Sequence, residues 1–234
     1  MWDSMAALTK EMVRNGNLSI KKGETLTLLY DGSFSFGSAS NPFFINVESG
    51  GILNMFSYMF NIESLRFFIS IELEESASCN FDSVFMRKGL LPFSGSVTLK
   101  HLGRKSVSNV HIRGILGEKA AVTYRGDVIL EKGSSGAKTK IEERALLFHK
   151  EVDVNMDPTL AINEEDVSAK HAATIGSVSQ NELIYIASRG VRKENAKAVL
   201  GLGFLQPVLK SVDKEMEEYI NDAVRKNIIS YAVS

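Results

Sequence analysis

Residues 157–204 read DPTLAINEEDVSAKHAATIGSVSQNELIYIASRGVRKENAKAVLGLGF, and the hydrophobic period changes within them. Asp157-Pro158 opens an extended segment, because a residue that precedes proline avoids the helical region. Leu160 and Ile162 then alternate. Asn163-Glu164-Glu165-Asp166 reads as a polar turn with solvated acids. Val167 and Ala169 alternate with Ser168 and Lys170 in a last strand, which passes through His171 and Ile175 to a break at Gly176. Beyond it, Ser179-Gln180-Asn181-Glu182 matches a capping box, in which the Ser hydroxyl and the Glu carboxylate satisfy amide donors reciprocally. The spacing predicts a helix over 180–189 with Leu183, Ile186 and Ala187 on its apolar stripe. Gly190 stands where a left-handed cap is wanted.

Upstream, period two dominates. Alternating segments at 25–28, 33–36, 43–47, 52–58, 65–71 and 94–99 are each closed by Gly, Asn, Asp or Ser. The pattern continues at 109–112, 120–124, 128–131, 139–142, 145–148, 152–154 and 160–162. These read as strands of about three to five residues, with no helical pattern among them. Many short strands without helices leave a sandwich, a barrel or a solenoid. Strands with one or two inward apolar residues each suit a solenoid, whose rungs bury side chains against the rungs above and below. Before this region, Asp3 caps a helix over 4–14 with Met5, Leu8, Met12 and Val13 as its stripe, stopped by Asn15-Gly16.

Downstream of Gly190 a second helix starts near Lys193. Ala196, Val199, Leu200 and Phe204 share one face, and Gly201 and Gly203 allow close approach of a neighbour. Pro207 is expected to kink or restart it. A third helix covers 212–230, where Met216, Tyr219, Ile220, Ala223, Val224 and Ile228 are spaced helically. These faces read first as packing surfaces and second as a groove for a partner. The expected division is therefore an N-terminal helix (1–17), a β core (18–176) and a helical domain (177–234).

Composition narrows the function. Lys+Arg 27 against Asp+Glu 28 gives net charge -1, without the basic excess of a nucleic-acid binder. The single cysteine, Cys79, rules out an internal disulfide and fits a reducing compartment. The most apolar stretches are interrupted by Asn54, Ser57, Asn61, Arg66 and Ser70, short of the roughly 20 apolar residues that a membrane span needs. The N-terminus, with Asp3, does not read as a signal peptide. The expectation is a cytoplasmic protein with no nucleic-acid or membrane partner. A phosphate loop is missing, since Gly201-Leu202-Gly203 lacks the required spacing and the Lys-Ser/Thr pair. Neighbouring acids such as Glu142-Glu143 point apart in a strand and make poor acid/base pairs.

Several elements of the opening stretch together resemble the C-terminal signature of the SufB/SufD family of the SUF iron–sulfur assembly system. They are Leu160-x-Ile162, Asp166-Val167, His171-x-Ala173-Thr174-x-Gly176, Leu183-x-Tyr185, Ser188-Arg189-Gly190 and Gly203-Phe204. The resemblance implies a right-handed parallel β-helix followed by a helical domain, in agreement with the solenoid reading. It also implies a SufC-like ABC-type ATPase docked on the C-terminal helices, with Tyr185, Arg189, Gly190, Gly203 and Phe204 as partner-binding positions. SufB-like chains have Glu directly after the motif His, where this chain has Ala172, and a functional cysteine upstream, which is missing from residues 141–147. SufD-like chains have His-Gly-Ala-Thr, close to His171-Ala172-Ala173-Thr174, although Ala169 stands where they often carry Cys. The chain thus resembles SufD more than SufB, in an N-terminally shortened form. Paired β-helices are implied, with either a SufB-like partner or a second copy.

Iron–sulfur clusters are normally held by four thiolates, sometimes with His in place of some. Cys79, His101, His111, His149 and His171 offer no C-x-x-C, so no cluster is expected to be held stably by this chain alone. Two readings of His171 stand. In one it supplies a ligand at a subunit interface to a transient cluster shared with a partner. In the other it is a hydrogen-bonded histidine that ends the solenoid. His101, His111 and His149 read as surface residues, and Cys79 as a buried, unreactive one. The favoured function is a non-catalytic SufD-like scaffold. The alternatives are a purely structural ATPase-binding subunit and a carbohydrate-active β-solenoid enzyme.

Overall fold

The computed structural model describes residues 6–60 and 64–231. In chain order the elements begin with β1 (Ala6–Ala7), α1 (Lys10–Arg14), β2 (Asn17–Ile20), β3 (Thr25–Tyr30), β4 (Phe43–Val47), β5 (Ile52–Phe60) and β6 (Leu65–Leu73). Then come β7 (Ser78–Arg87), β8 (Phe93–His101), β9 (Val107–Leu116), β10 (Ala121–Leu130), β11 (Lys138–Leu147), β12 (Asp153–Asn155), β13 (Leu160–Ile162) and β14 (Ser168–Ser177). The chain closes with α2 (Gln180–Ser188), α3 (Lys193–Leu209) and α4 (Lys214–Tyr231). Successive strands alternate between two sheets. One is ordered β1-β3-β5-β7-β9-β11-β14, the other β2-β4-β6-β8-β10-β12, with β13 also on β10. Strands of both sheets pair in parallel. A chain that feeds two parallel sheets in alternation must wind, and the result is a β-solenoid of about five turns carrying C-terminal helices.

The strands are longer than the sequence suggests. The segments expected at 120–124 and 128–131 are one strand, β10, and those at 139–142 and 145–148 are one strand, β11. Arg125, Asp127, Glu142 and Arg144 look like interruptions but occupy the outward half of a continuous period-two pattern. β7 lacks a visible signal because its outward residues are mixed, Asn80 and Asp82 beside Val84 and Met86. The expected strand at 33–36 is irregular apart from a lone bridge of Phe36 to Phe67, and both Phe34 and Phe36 pack edge-on against Tyr30. At the N-terminus, α1 is capped by Thr9, whose Oγ1 accepts from the Met12 amide at 3.2 Å, so the helix begins later than expected. Asp3 and Met5 lie outside the described residues.

Inward residues stack in columns. Met55, Phe81, Val110 and Ile141 are in register through successive rungs and fully buried. Glycines in these columns make room for rings from the rung below. A Cβ on Gly95 would lie 2.3 Å from the Phe67 ring, and one on Gly114 2.3 Å from the Phe85 ring. Phe85 in turn stacks on Phe93 at 5.0 Å, and Tyr124 meets Phe67 edge-on at 5.2 Å.

Titratable side chains are sealed in this interior, His101 and Glu143 among them. His101, expected at the surface, is fully buried because it ends the inward register of β8. Ser106 Oγ donates to the Gly103 carbonyl at 2.9 Å, so it accepts from His101 Nδ1–H. His101 Nε2 then accepts from Ser108, and Ser108 accepts from Thr139. Burial pushes the imidazole down to about 4, so it stays neutral. Glu143 is also fully buried and pushed up to about 7 by desolvation, against the pull of the Gly126 amide that bonds its Oε1.

The outer face of the first sheet carries an apolar patch of Phe56, Val84, Met86 and Ile115. α3 and α4 cover it with Ala198, Leu205, Val208, Leu209, Ile220, Val224 and Ile228. Gly201 sits where the three layers meet. A Cβ there would lie 2.4 Å from Ile228 Cδ1 and 3.1 Å from Ile115 Cδ1. α3 runs on through Pro207 rather than restarting, because the proline falls in its last turn. The capping box of α2 forms as the sequence indicates, and Gly190 follows with φ +86.

Two outcomes are expected from this packing. Gly201→Val should destabilise the fold by about 1–3 kcal/mol, read as a lower urea midpoint at unchanged slope, since neither α4 nor β9 can retreat without opening the patch. His101 and Glu143 should give opposed pH slopes. Unfolded histidine takes up a proton that buried His101 refuses, so its contribution to stability is lost as pH falls from about 6.5 towards 4. Buried Glu143 keeps a proton that the unfolded chain releases, so its contribution is lost as pH rises from 4.5 through about 7. Glu143→Gln removes only the second slope. Its stability relative to wild type should therefore improve by about 2–3 kcal/mol between pH 5 and pH 8, measured by denaturant unfolding. A pH-independent difference would show that Glu143 is not the titrating group.

Candidate functional site

The solenoid ends at β14. This strand pairs with β11 on one side and, among the described residues, with nothing on the other. A parallel strand with a free edge exposes a row of backbone donors and acceptors. Its inward register places Ala169 over Thr139, His171 over Ile141, Ala173 over Glu143 and Ile175 over Ala145. His171 therefore tops the column of Met55, Phe81, Val110 and Ile141, where the next residue would be buried if another rung followed. It is exposed, and among the described residues its imidazole makes no hydrogen bond or ion pair. Around it the end of the core is uncovered, with Ile162 52% and Ile175 46% exposed.

The acidic turn before β14 is not free in solvent. Glu164 Oε2 accepts from the Gly133 amide at 2.9 Å, and Asp166 Oδ2 from the Ser135 hydroxyl at 2.7 Å. The Asp166 carbonyl accepts from the Gly136 amide at 2.6 Å. The Gly133 bond holds the Glu164 carboxyl below the usual range. Stacked on the turn of the preceding rung, these residues set the register in which β14 begins.

The other expected residues separate into two groups. On α2, Tyr185 is 59% exposed. The Arg189 guanidinium lies 5.1 Å from its ring centre and donates to its hydroxyl at 3.1 Å. Gly190 ends this helix, and Ile184 and Val199 stand exposed nearby in the sequence. On α3, Gly203 faces open space, since a Cβ built there meets no atom within 4 Å. Phe204 is turned the other way. Arg113, on the outer face of β9, lies 5.3 Å from the Phe204 ring centre and donates Nη1 to the Phe204 carbonyl. Arg113 Nη2 donates to Glu142 at 2.9 Å, and Arg144 lies 3.1 Å from the same oxygen. Burial disfavours the charged form of Glu142, yet Arg113, Arg144 and Lys140 together hold its carboxyl below the usual range. Phe204 thus secures the helices to the solenoid, while Tyr185, Arg189 and Gly203 face outward.

Arg113 and Glu142 were not visible as partners in the sequence. The hydrogen bond from Arg113 to Phe204 spans 91 residues, and the turn length that aligns Arg113 with Glu142 has no local signal. The remaining histidines differ from the surface placement expected of them. His111 is half-buried and pairs with Asp82 at 2.9 Å, and half-buried His149 accepts the Glu151 amide at 3.0 Å. Cys79 is buried as expected, and desolvation pushes its thiol up, away from the thiolate that ligates metals. Among the described residues, no group of three or more His, Cys, Asp or Glu is arranged to hold a metal ion. A cluster would therefore need ligands from elsewhere. No described helix is long and apolar enough to cross a membrane.

Comparison with known proteins converges on the same residues. The family described as "SUF system FeS cluster assembly, SufBD core domain" matches residues 40–204. The chain is 32% identical over 130 residues to the iron–sulfur cluster assembly protein SufD of Bacillus subtilis, covering 56% of this chain and 28% of that protein. It is 31% identical over 121 residues to an iron–sulfur cluster assembly SufBD family protein of Mycobacterium tuberculosis, covering 52% and 14%. It is 28% identical over 125 residues to the iron–sulfur cluster assembly protein SufB of Bacillus subtilis, covering 53% and 27%. The chain thus spans under a third of the length of each of these relatives. With a parallel two-sheet solenoid, a helical module clamped to its side and a family match across most of its length, the chain belongs to the SufBD core family of the SUF system.

Proposed function

We propose that this chain is a SufD-like, non-catalytic scaffold subunit of iron–sulfur cluster assembly. The observation that carries this reading is the uncovered end of the solenoid. There a free strand edge, an apolar rim and an unpartnered His171 lie together. A SufB-like protein or a second copy would continue the interrupted sheet and cover Ile162 and Ile175. The cluster is cargo, held transiently between the two chains. His171 supplies one ligand, because its imidazole is accessible and has no competing hydrogen bond. The partner supplies the thiolate that buried Cys79 cannot. A SufC-like ABC-type ATPase docks on the helical module, at the outward face that includes Tyr185, Arg189, Gly190 and Gly203. Support for this placement comes from the exposure of that face and from the open space that a Cβ at Gly203 would enter among the described residues. A cytoplasmic location accords with the reduced cysteine.

Two substitutions test the two surfaces separately. His171→Ala leaves the core untouched, because nothing described bonds to the imidazole. In a reconstituted complex with a SufB-like partner and the ATPase, it should lower cluster content several-fold without loss of subunit assembly. Unchanged cluster content would leave a purely structural role for the chain. Gly203→Leu enters open space, and loss of a mid-helix glycine should raise stability by up to about 1 kcal/mol. Its affinity for the ATPase should nonetheless fall at least tenfold in a pull-down or by calorimetry. Wild-type affinity would move the docking surface elsewhere.

A further inference from the structure

The helical module ends over a part of the first sheet that the preceding sections leave unused. α3 crosses that sheet from the end of β11 towards β5, with Lys197 over the Phe148 ring, Gly201 against Ile115 and Phe204 on Arg113. α4 then begins over β5, where the Tyr219 ring meets the Tyr58 ring at 5.6 Å and 69°. A groove of about 320 Å³ opens between strand and helix there, lined by Tyr58, Asp213, Glu215, Met216 and Tyr219. The two rings form adjoining walls, and Phe60 backs Tyr58 at 5.9 Å. Tyr219 is 55% exposed, so its ring is open to a partner. Asp213 and Glu215 are exposed too, and neither has an ion-pair partner among the described residues. Asp213 Oδ1 caps α4 by accepting the Met216 amide at 2.8 Å, and its other oxygen makes no bond among those residues.

Aromatic faces beside uncompensated carboxylates attract cations. A metal ion fits poorly, since no group of three or more ligating side chains is arranged for one among the described residues. A guanidinium fits better: it is planar, stacks on a ring, pairs with a carboxylate through two parallel bonds and gives up its water readily. The groove is open along one ring, whereas a small-molecule pocket buries most of its ligand's surface. Its shape therefore suits a side chain presented by another protein. We propose that this groove is a docking subsite for an arginine side chain on a basic surface segment of a protein partner. The guanidinium stacks on Tyr219 and pairs with Glu215 and Asp213, while Met216 packs on its methylenes. The site lies four strands from β14, about 19 Å across the sheet, whereas α2 follows β14 directly. It is thus a surface separate from the solenoid end and from Tyr185 and Arg189, and it can be tested without a cluster or an ATPase.

The test uses the full chain with isotope-labelled methionine methyls and tyrosine rings, titrated in the magnetic resonance spectrometer with the tripeptide acetyl-Gly-Arg-Gly-amide. The Met216 methyl and the rings of Tyr58 and Tyr219 should shift saturably. The same tripeptide with citrulline in place of arginine, equal in shape but uncharged, should leave them unmoved. Glu215→Gln and Tyr219→Ala should each weaken binding of the arginine peptide about two- to fivefold. Equal shifts from both peptides, no shift from either, or wild-type affinity in both variants overturns the proposal. Tighter binding of free arginine than of the peptide would make the groove a small-molecule site and overturns the assignment to a protein partner. If Tyr219→Ala does not fold, Glu215→Gln, at an exposed position, decides in its place.

Discussion

Each inward side chain of this protein is buried by the one a turn below it and the one a turn above. The fold depends on that stacking, and so does the site. A column such as Met55, Phe81, Val110 and Ile141 can be apolar throughout because every member has two neighbours in the column. The last member has one. His171 occupies that terminal place, where a large apolar residue would expose its whole surface and a charged one would sit over Ile141. An imidazole, a flat ring with a polar edge, tolerates both neighbours, protein below and solvent above. The position of the candidate ligand is thus a consequence of where the coil stops.

A second consequence concerns the flanks. A two-sheet coil has outer faces, and one of them is apolar around Phe56, Val84, Met86 and Ile115. That patch could be taken for a docking surface if the helices were ignored. α3 and α4 bury it, and Arg113 adds a directional clamp by stacking on the Phe204 ring and bonding its carbonyl while held by Glu142. With this face occupied from within the chain, the large apolar side chains that stay exposed among the described residues include Ile162 and Ile175 at the solenoid end, Ile184 and Tyr185 on α2, Val199 on α3, and Leu90 and Leu91 between β7 and β8.

The sequence disclosed what local chemistry writes. The capping box of Ser179 and Glu182 and the Gly190 cap depend on nearby residues and appear as read, while of the expected stripe Leu183 is buried, Ile186 half-buried and Ala187 exposed. The coil was legible as a class, since short apolar alternations without helices leave few other architectures. Its rungs were not, because turn length drifts. Ser57 and Ser83 are 26 apart, Asn80 and Asn109 29, Ser108 and Thr139 31. A drifting period leaves no repeat to find, so the partners of His101, Arg113 and Glu143 stayed hidden. Inward positions without an apolar side chain did further damage. Gly126 and Glu143 broke the apparent alternation of β10 and β11 into halves.

The same hidden polar residues explain why the interior tolerates titratable groups so close to its end. His101 is kept neutral by its burial, and a relay of hydroxyls leaves each ring nitrogen with one partner. Glu143 is pushed up to about 7 because desolvation outweighs the Gly126 amide and the Arg125 charge that favour its ionised form. Their stability slopes oppose one another across nearly the same pH range, so the coil as a whole can be flat in pH although neither residue is. No slack separates this interior from the helices, either. The Val178 amide still bonds the Leu147 carbonyl at 3.0 Å, and Ser179 at once caps α2. Two residues thus separate β14 from α2, and both already have partners, so the helical module starts from a backbone position that the last rung fixes.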